Sequence, residues 1–140
     1  MKKAVVLTIR GRQSYADQEP EEIQLVTEGT LEQVEKGWEV SYEESDLTGL
    51  QGVITTFLVT EESICLSRKG RLNSQMVFRE GVSHDSLYKT EFGTMMLTVC
   101  ATKVAAEIKP DGGSIDLRYN IEIEQSAAGV IDYRLDIQMK

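Results

Sequence analysis

A chain of 140 residues and 15.7 kDa has room for one hydrophobic core. With 23 acidic against 15 basic residues and a net charge of −8, it lacks the basic surface that nucleic acid or an anionic membrane would require. No apolar run approaches the roughly 20 residues of a membrane helix. The stretch Ala4 to Ile9, interrupted by Thr8 and followed by Arg10 and Arg12, is too short for a signal-peptide core. The expected location is the cytoplasm.

Val5, Leu7 and Ile9 alternate with Val6, Thr8 and Arg10, which predicts a first strand over Ala4 to Arg12. Polar Gln13 to Glu22, with Pro20 inside it, reads as a loop or at most a short helical turn. A second strand opens at Ile23 and Leu25 and runs to Glu32, and Gly29 within it predicts a bulge or sharp bend. Trp38, Val40 and Tyr42 share one face of a third strand, after a turn at Lys36 and Gly37. Asp46 to Gly52 is a connector into the strand Val53 to Thr60. Beyond Glu61 and Glu62, the residues Ile64, Leu66 and Arg68 share a face, with Cys65, Ser67 and Lys69 opposite. Lys69 and Gly70 suit a tight hairpin turn before a strand from Leu72 to Phe78. Gly81 then separates off His84 to Thr90, and Gly93 precedes a long run from Thr94 to Ala105.

Pro110 to Gly113 is the clearest turn in the chain. It leads into Ile115, Leu117, Tyr119, Ile121 and Ile123, which alternate strictly with polar neighbours as a strand wet on one face does. Ile131, Tyr133, Leu135, Ile137 and Met139 repeat the pattern after a small-residue connection, Ser126 to Gly129. The segments follow one another through short turns, with no amphipathic helix among them. Residues 1–140 are therefore expected to be one all-β domain, an antiparallel meander. So large a sheet with one apolar face must curl or close. A small lipocalin- or streptavidin-like, calycin-like barrel of about eight to ten strands is preferred over a two-sheet sandwich.

The spaced residues Tyr42-x-Glu44, Thr48-Gly49-Leu50-x-Gly52, Arg68-x-Gly70, Phe78-x-x-Gly81 and Tyr88-x-Thr90-x-x-Gly93 resemble the YwiB-like family of small bacterial β-barrel proteins. Their shared order along nearly the whole chain carries the resemblance. It implies a lipocalin-like meander barrel, as periodicity does independently, and no activity or cofactor. Glu91 and Phe92 stand where many relatives are expected to have a proline before the glycine.

Cys65 and Cys100 lie inside strand-like runs and read as free, partly buried thiols in a reducing compartment. With His84 they lack any CxxC or HxxxH spacing, so no metal is expected. Ser83, His84 and Asp85 cannot form a catalytic relay, because neighbours in a strand point to opposite faces. An enzyme is the reading with least support; it would rest on His84 acting with Tyr88. The basic cluster Arg68, Lys69 and Arg71 reads as a solvated hairpin tip.

Arg68 is the anomaly. Strand parity sends it inward with Ile64 and Leu66, where a guanidinium needs a partner such as Glu44, a tyrosine or a ligand carboxylate. Tyr88 and Thr90 share a face with His84 and Ser86, giving that strand a polar inward row. The expected function is binding of a small, partly apolar or anion-headed ligand at the barrel mouth, through Arg68, Tyr88, Thr90, His84, Tyr42 and Glu44. The alternative is a filled barrel acting as an interaction module or homo-oligomer, its interface near Ala101, Val104 and Ala105.

Overall fold

Alternating apolar rows become the inner wall of a barrel. A computed structural model describes residues 2–14, 19–45 and 50–140, without the side chains of residues 127 and 128. In it the described residues form ten strands: β1 Lys3–Ser14, β2 Glu21–Val34, β3 Gly37–Glu43, β4 Ile54–Thr60, β5 Ile64–Lys69, β6 Leu72–Phe78, β7 Ser83–Thr90, β8 Gly93–Lys109, β9 Gly112–Ile123 and β10 Ser126–Met139. Each pairs antiparallel with the next, and β1 closes on β10, with Ile9 opposite Leu135. The Gln13 to Glu22 loop is shorter than expected, since β1 reaches Ser14 and β2 begins at Glu21. Parts of that loop and of the Asp46 to Gly52 connector, including Thr48 and Gly49 of the family pattern, lie outside the described residues.

Every strand except β7 contributes buried apolar side chains to one core, including Leu7, Leu31, Phe57, Phe78, Ile115 and Leu135. Burying a side chain of this size stabilises by roughly 1.5–3 kcal/mol. Outward positions on β9 and β10 carry Asp116, Arg118, Asp132 and Arg134, which form exposed ion pairs across the two strands. A barrel spanning lipid has the reverse arrangement. No helix among the described residues is long and apolar enough to cross a membrane.

Local detail departs from expectation in four places. Gly29 makes no bulge, for the β1–β2 ladder runs through it unshifted, and the β2–β3 ladder begins at it, opposite Tyr42. A Cβ there would stand 2.5 Å from the Ser41 carbonyl oxygen and 2.8 Å from Leu7 Cδ1, so the glycine is needed for close approach. Gly112 and Gly113 belong to β9, paired with Lys109 and Ile108, which leaves Pro110 and Asp111 as the turn. The β9–β10 turn is Glu124 and Gln125, not Ser126 to Gly129. The small residues instead accommodate a register shift between Ala127 and Gly129.

The fourth difference is in β8, where the register shifts between Ala101 and Lys103. Leu97, Val99 and Ala101 are buried before the shift, and Val104 and Ile108 pack against the core after it. The extra residue therefore switches inward parity from odd to even. Ala101 is consequently 1% exposed, and of the three residues expected at an interface only Ala105 faces outward.

Candidate functional site

Ten strands enclose more space than the roughly eight whose interior side chains just fill. At one end Val5, Leu31, Val40, Ile115 and Ile137 pack the lumen solid. At the other a cavity of about 440 Å³ opens between the distal halves of the strands, floored by Phe57, Phe78 and Leu117 and rimmed by Gln13, Glu21, Ile23, Met95 and Ile131. Leu50, on the connection between β3 and β4, also lines it. That connection is tied by Glu44 N–H donating to the Val53 carbonyl at 2.8 Å. The β5–β6 turn packs onto the same segment, since a Cβ on Gly70 would meet the Gly52 carbonyl oxygen at 2.4 Å. These contacts fix the strand end that carries Arg68.

The polar residues of the cavity are Tyr42, Glu44, Arg68, Tyr88, Tyr119 and Tyr133, together with Gln13 and Glu21 at the rim. Glu44 is 6% exposed and accepts the Thr55 hydroxyl at 2.6 Å. It is also hydrogen-bonded to Tyr42. A carboxylate only accepts, so the Tyr42 hydroxyl donates to it and receives the Tyr133 hydroxyl, 3.3 Å away. Burial, with the Glu44 charge next, pushes Tyr42 up to about 12. Tyr133 is held well above the usual tyrosine range, first by burial and then by Tyr42. Tilted ring contacts of Phe57 with Tyr133 at 5.6 Å and Phe78 with Tyr119 at 4.6 Å hold the phenols in place.

Arg68 faces inward as parity requires and lowers the pKa of both Tyr42 and Tyr133 through its charge. Its Nε is buried and has no hydrogen-bond partner among the described residues. Thr55, Glu44, Tyr42 and Tyr133 form a hydrogen-bonded chain in which this guanidinium nitrogen takes no part. Tyr88 and Arg68 line the same cavity with Tyr42 and Glu44, as the sequence suggested. Thr90 does not belong with them. Its hydroxyl donates to the Gly93 carbonyl and accepts the Phe92 N–H, holding the β7–β8 turn.

His84 is also away from the mouth cavity and from any partnership with Tyr88 there. It lines a separate surface opening beside β6, with Arg68 at its inner edge. Asp85 points outward and accepts the Thr98 hydroxyl at 2.7 Å, so no serine–histidine–aspartate relay is assembled. Both cysteines are free, and Gln75 Nε2 donates to Cys65 Sγ at 3.2 Å. Among the described residues no three histidine, cysteine or acidic side chains come close enough to hold a metal.

Sequence reasoning missed Thr55, Ser74, Tyr119 and Tyr133 as polar members of the interior. The signal was a hydroxyl within an otherwise apolar inward row, as in Leu72, Ser74, Met76 and Phe78.

The model of a family described as a domain of unknown function, DUF1934, matches residues 7–137. The crystal structure of the ywiB protein from Bacillus subtilis is similar, with a TM-score of 0.89 at 19% identity over 99% of this chain and 93% of that one. Identity at that level carries the fold alone. No curated protein matches the chain significantly.

Proposed function

Because the chain belongs to the DUF1934 family, a YwiB-like family whose description assigns no activity, we propose a function from the cavity itself. The protein binds, in lipocalin-like fashion, a small molecule with an apolar body and an anionic head. The observation that carries this reading is the mouth cavity of about 440 Å³, walled mainly by aliphatic and aromatic side chains and supplied with one buried guanidinium nitrogen that no group among the described residues uses. Such a volume lies within the roughly 300–1,000 Å³ typical of small-molecule sites. The free thiols Cys65 and Cys100 support a cytoplasmic setting, and the match to a Bacillus protein supports a bacterial one.

Calorimetric titration with medium-chain carboxylic acids and the alcohols of matching length tests the proposal. The acid is expected to bind about tenfold or more tightly than its alcohol, because a hydrogen bond to a charged group is worth roughly 1.5–3 kcal/mol. Arg68→Met should erase that preference and leave alcohol binding in place. Failure of both ligand series to bind the wild-type protein would refute the reading.

A further inference from the structure

β6 and β7 are joined only at Leu72 with Thr90 and Asn73 with Lys89. Beyond those pairs the ladder stops, and it resumes only as the bridge between Arg79 and Val82 at the far turn. The cause is in the inward rows. β6 presents Met76 and Phe78, while β7 answers with Ser86 and His84 and contributes none of the buried apolar core. The wall is therefore open along this line, as a slot lined by Arg68, Ser74, His84, Ser86, Lys69 and Lys89. Asp85 also borders it, engaged by Thr98.

Four buried side-chain atoms lack a hydrogen-bond partner among the described residues: Arg68 Nε, Ser74 Oγ, His84 Nδ1 and Ser86 Oγ. All four belong to this slot, on inward positions of three consecutive strands. Folded proteins leave few such groups unsatisfied, so their concentration at one opening marks a place where a partner from outside completes them. Two hydroxyls, a guanidinium N–H and an imidazole nitrogen can all donate. Ser74 is 9% exposed, and the exposed residues Lys69 and Lys89 also line the opening. Donors from three strands, with positive charge behind them, fit an anion whose acceptor oxygens point in several directions.

We propose that the β6–β7 slot is a phosphate-binding subsite, and that the ligand taken up by the barrel is a phosphate monoester of an apolar alcohol. This rests on the reading of the mouth cavity, because Arg68 lines both spaces and would join the phosphate in the slot to the body in the lumen.

Inorganic phosphate alone is the first probe. Titrated into the wild-type protein, it is expected to shift the NMR resonances of Arg68 Nε and the His84 ring saturably at millimolar concentrations, which requires no variant. Ser74→Ala combined with Ser86→Ala should weaken phosphate binding about tenfold, since each neutral hydrogen bond accounts for a few-fold. Without phosphate the double variant should keep the wild-type melting temperature or exceed it, because it removes two buried hydroxyls that no group among the described residues satisfies. An alkyl phosphate should bind more tightly than the carboxylic acid of equal length. Absence of a saturable shift overturns the proposal, as does phosphate binding undiminished in the double variant, which would assign it to the surface lysines. Alcohol binding without phosphate binding would sink the slot and leave the cavity reading standing; phosphate binding with neither the alcohols nor the carboxylic acids bound would do the reverse.

Discussion

Tyr42 and Tyr133 hold their protons first because burial leaves a phenolate poorly solvated, and next because of a neighbouring negative charge, that of Glu44 for Tyr42 and that of an ionised Tyr42 for Tyr133. Unfolded tyrosine ionises near pH 10. The folded protein keeps Tyr42 protonated to about 12, so the unfolded state binds fewer protons between those values and stability falls as pH rises through that window. For Tyr42 alone the loss is on the order of 2–3 kcal/mol. Tyr42→Phe should flatten the decline, as followed by urea unfolding across the alkaline range, and ultraviolet titration should lose phenolate absorbance that develops near pH 12 in the wild-type protein. Arg68 was legible in the sequence because two-residue parity with Ile64 and Leu66 is a local property. The hydroxyl contact of Tyr42 with Tyr133 joins residues 91 positions apart across the lumen, and no local pattern encodes such a pairing. The same limit hid the crowding around Gly29, which depends on Ser41 and Leu7 from two neighbouring strands.

The β9–β10 hairpin turns through two non-glycine residues with positive φ, Glu124 at 50° and Gln125 at 68°. That is the backbone of a type I′ turn, which normally selects asparagine and glycine. Glu124 has a compensating task, because its carboxylate accepts the Met96 N–H at 2.9 Å and its own N–H donates to the Met96 carbonyl. Gln125 has no such contact described. Gln125→Gly should stabilise the protein by about 0.5–1 kcal/mol, read as a rise in melting temperature. Turn chemistry explains why this element was misplaced in the sequence: Ser126 to Gly129 has the composition of a loop, while Glu124 and Gln125 do not. The bulge in β8 hid for another reason. Thr102 and Lys103 are two adjacent polar residues between Ala101 and Val104, but a single doubled position does not by itself tell a bulge from the end of a strand, although the chain uses it to return Val104 and Ile108 to the core. It is secured by Val104 N–H donating to Glu80 Oε1 at 2.9 Å and Gly81 N–H donating to the Ala101 carbonyl.

At the level of the whole barrel, nine strands bring an apolar row inward and one brings a polar row. Existence, order and handed-on pairing of the strands followed from alternation and short turns. The unequal strength of the wall did not, because it depends on what β6 meets across the gap. Hydrogen exchange should expose the inequality: amides of β6 and β7 along the slot, around Met76 and Ser86, are expected to exchange orders of magnitude sooner than Leu7 and Leu135 in the β1–β10 ladder. That ladder also constrains how the molecule is made. It joins Val5 to Met139, so the first strand to leave the ribosome finds its second neighbour only when the last has been synthesised. Until then β1 pairs with β2 along one edge and offers the other as a bare template for any passing chain, guarded by the outward charges of Arg10 and Arg12. A nascent chain stalled before Ser126 would hold nine strands and no closed barrel, with its hydrophobic lumen laid open between the unpaired edges of β1 and β9.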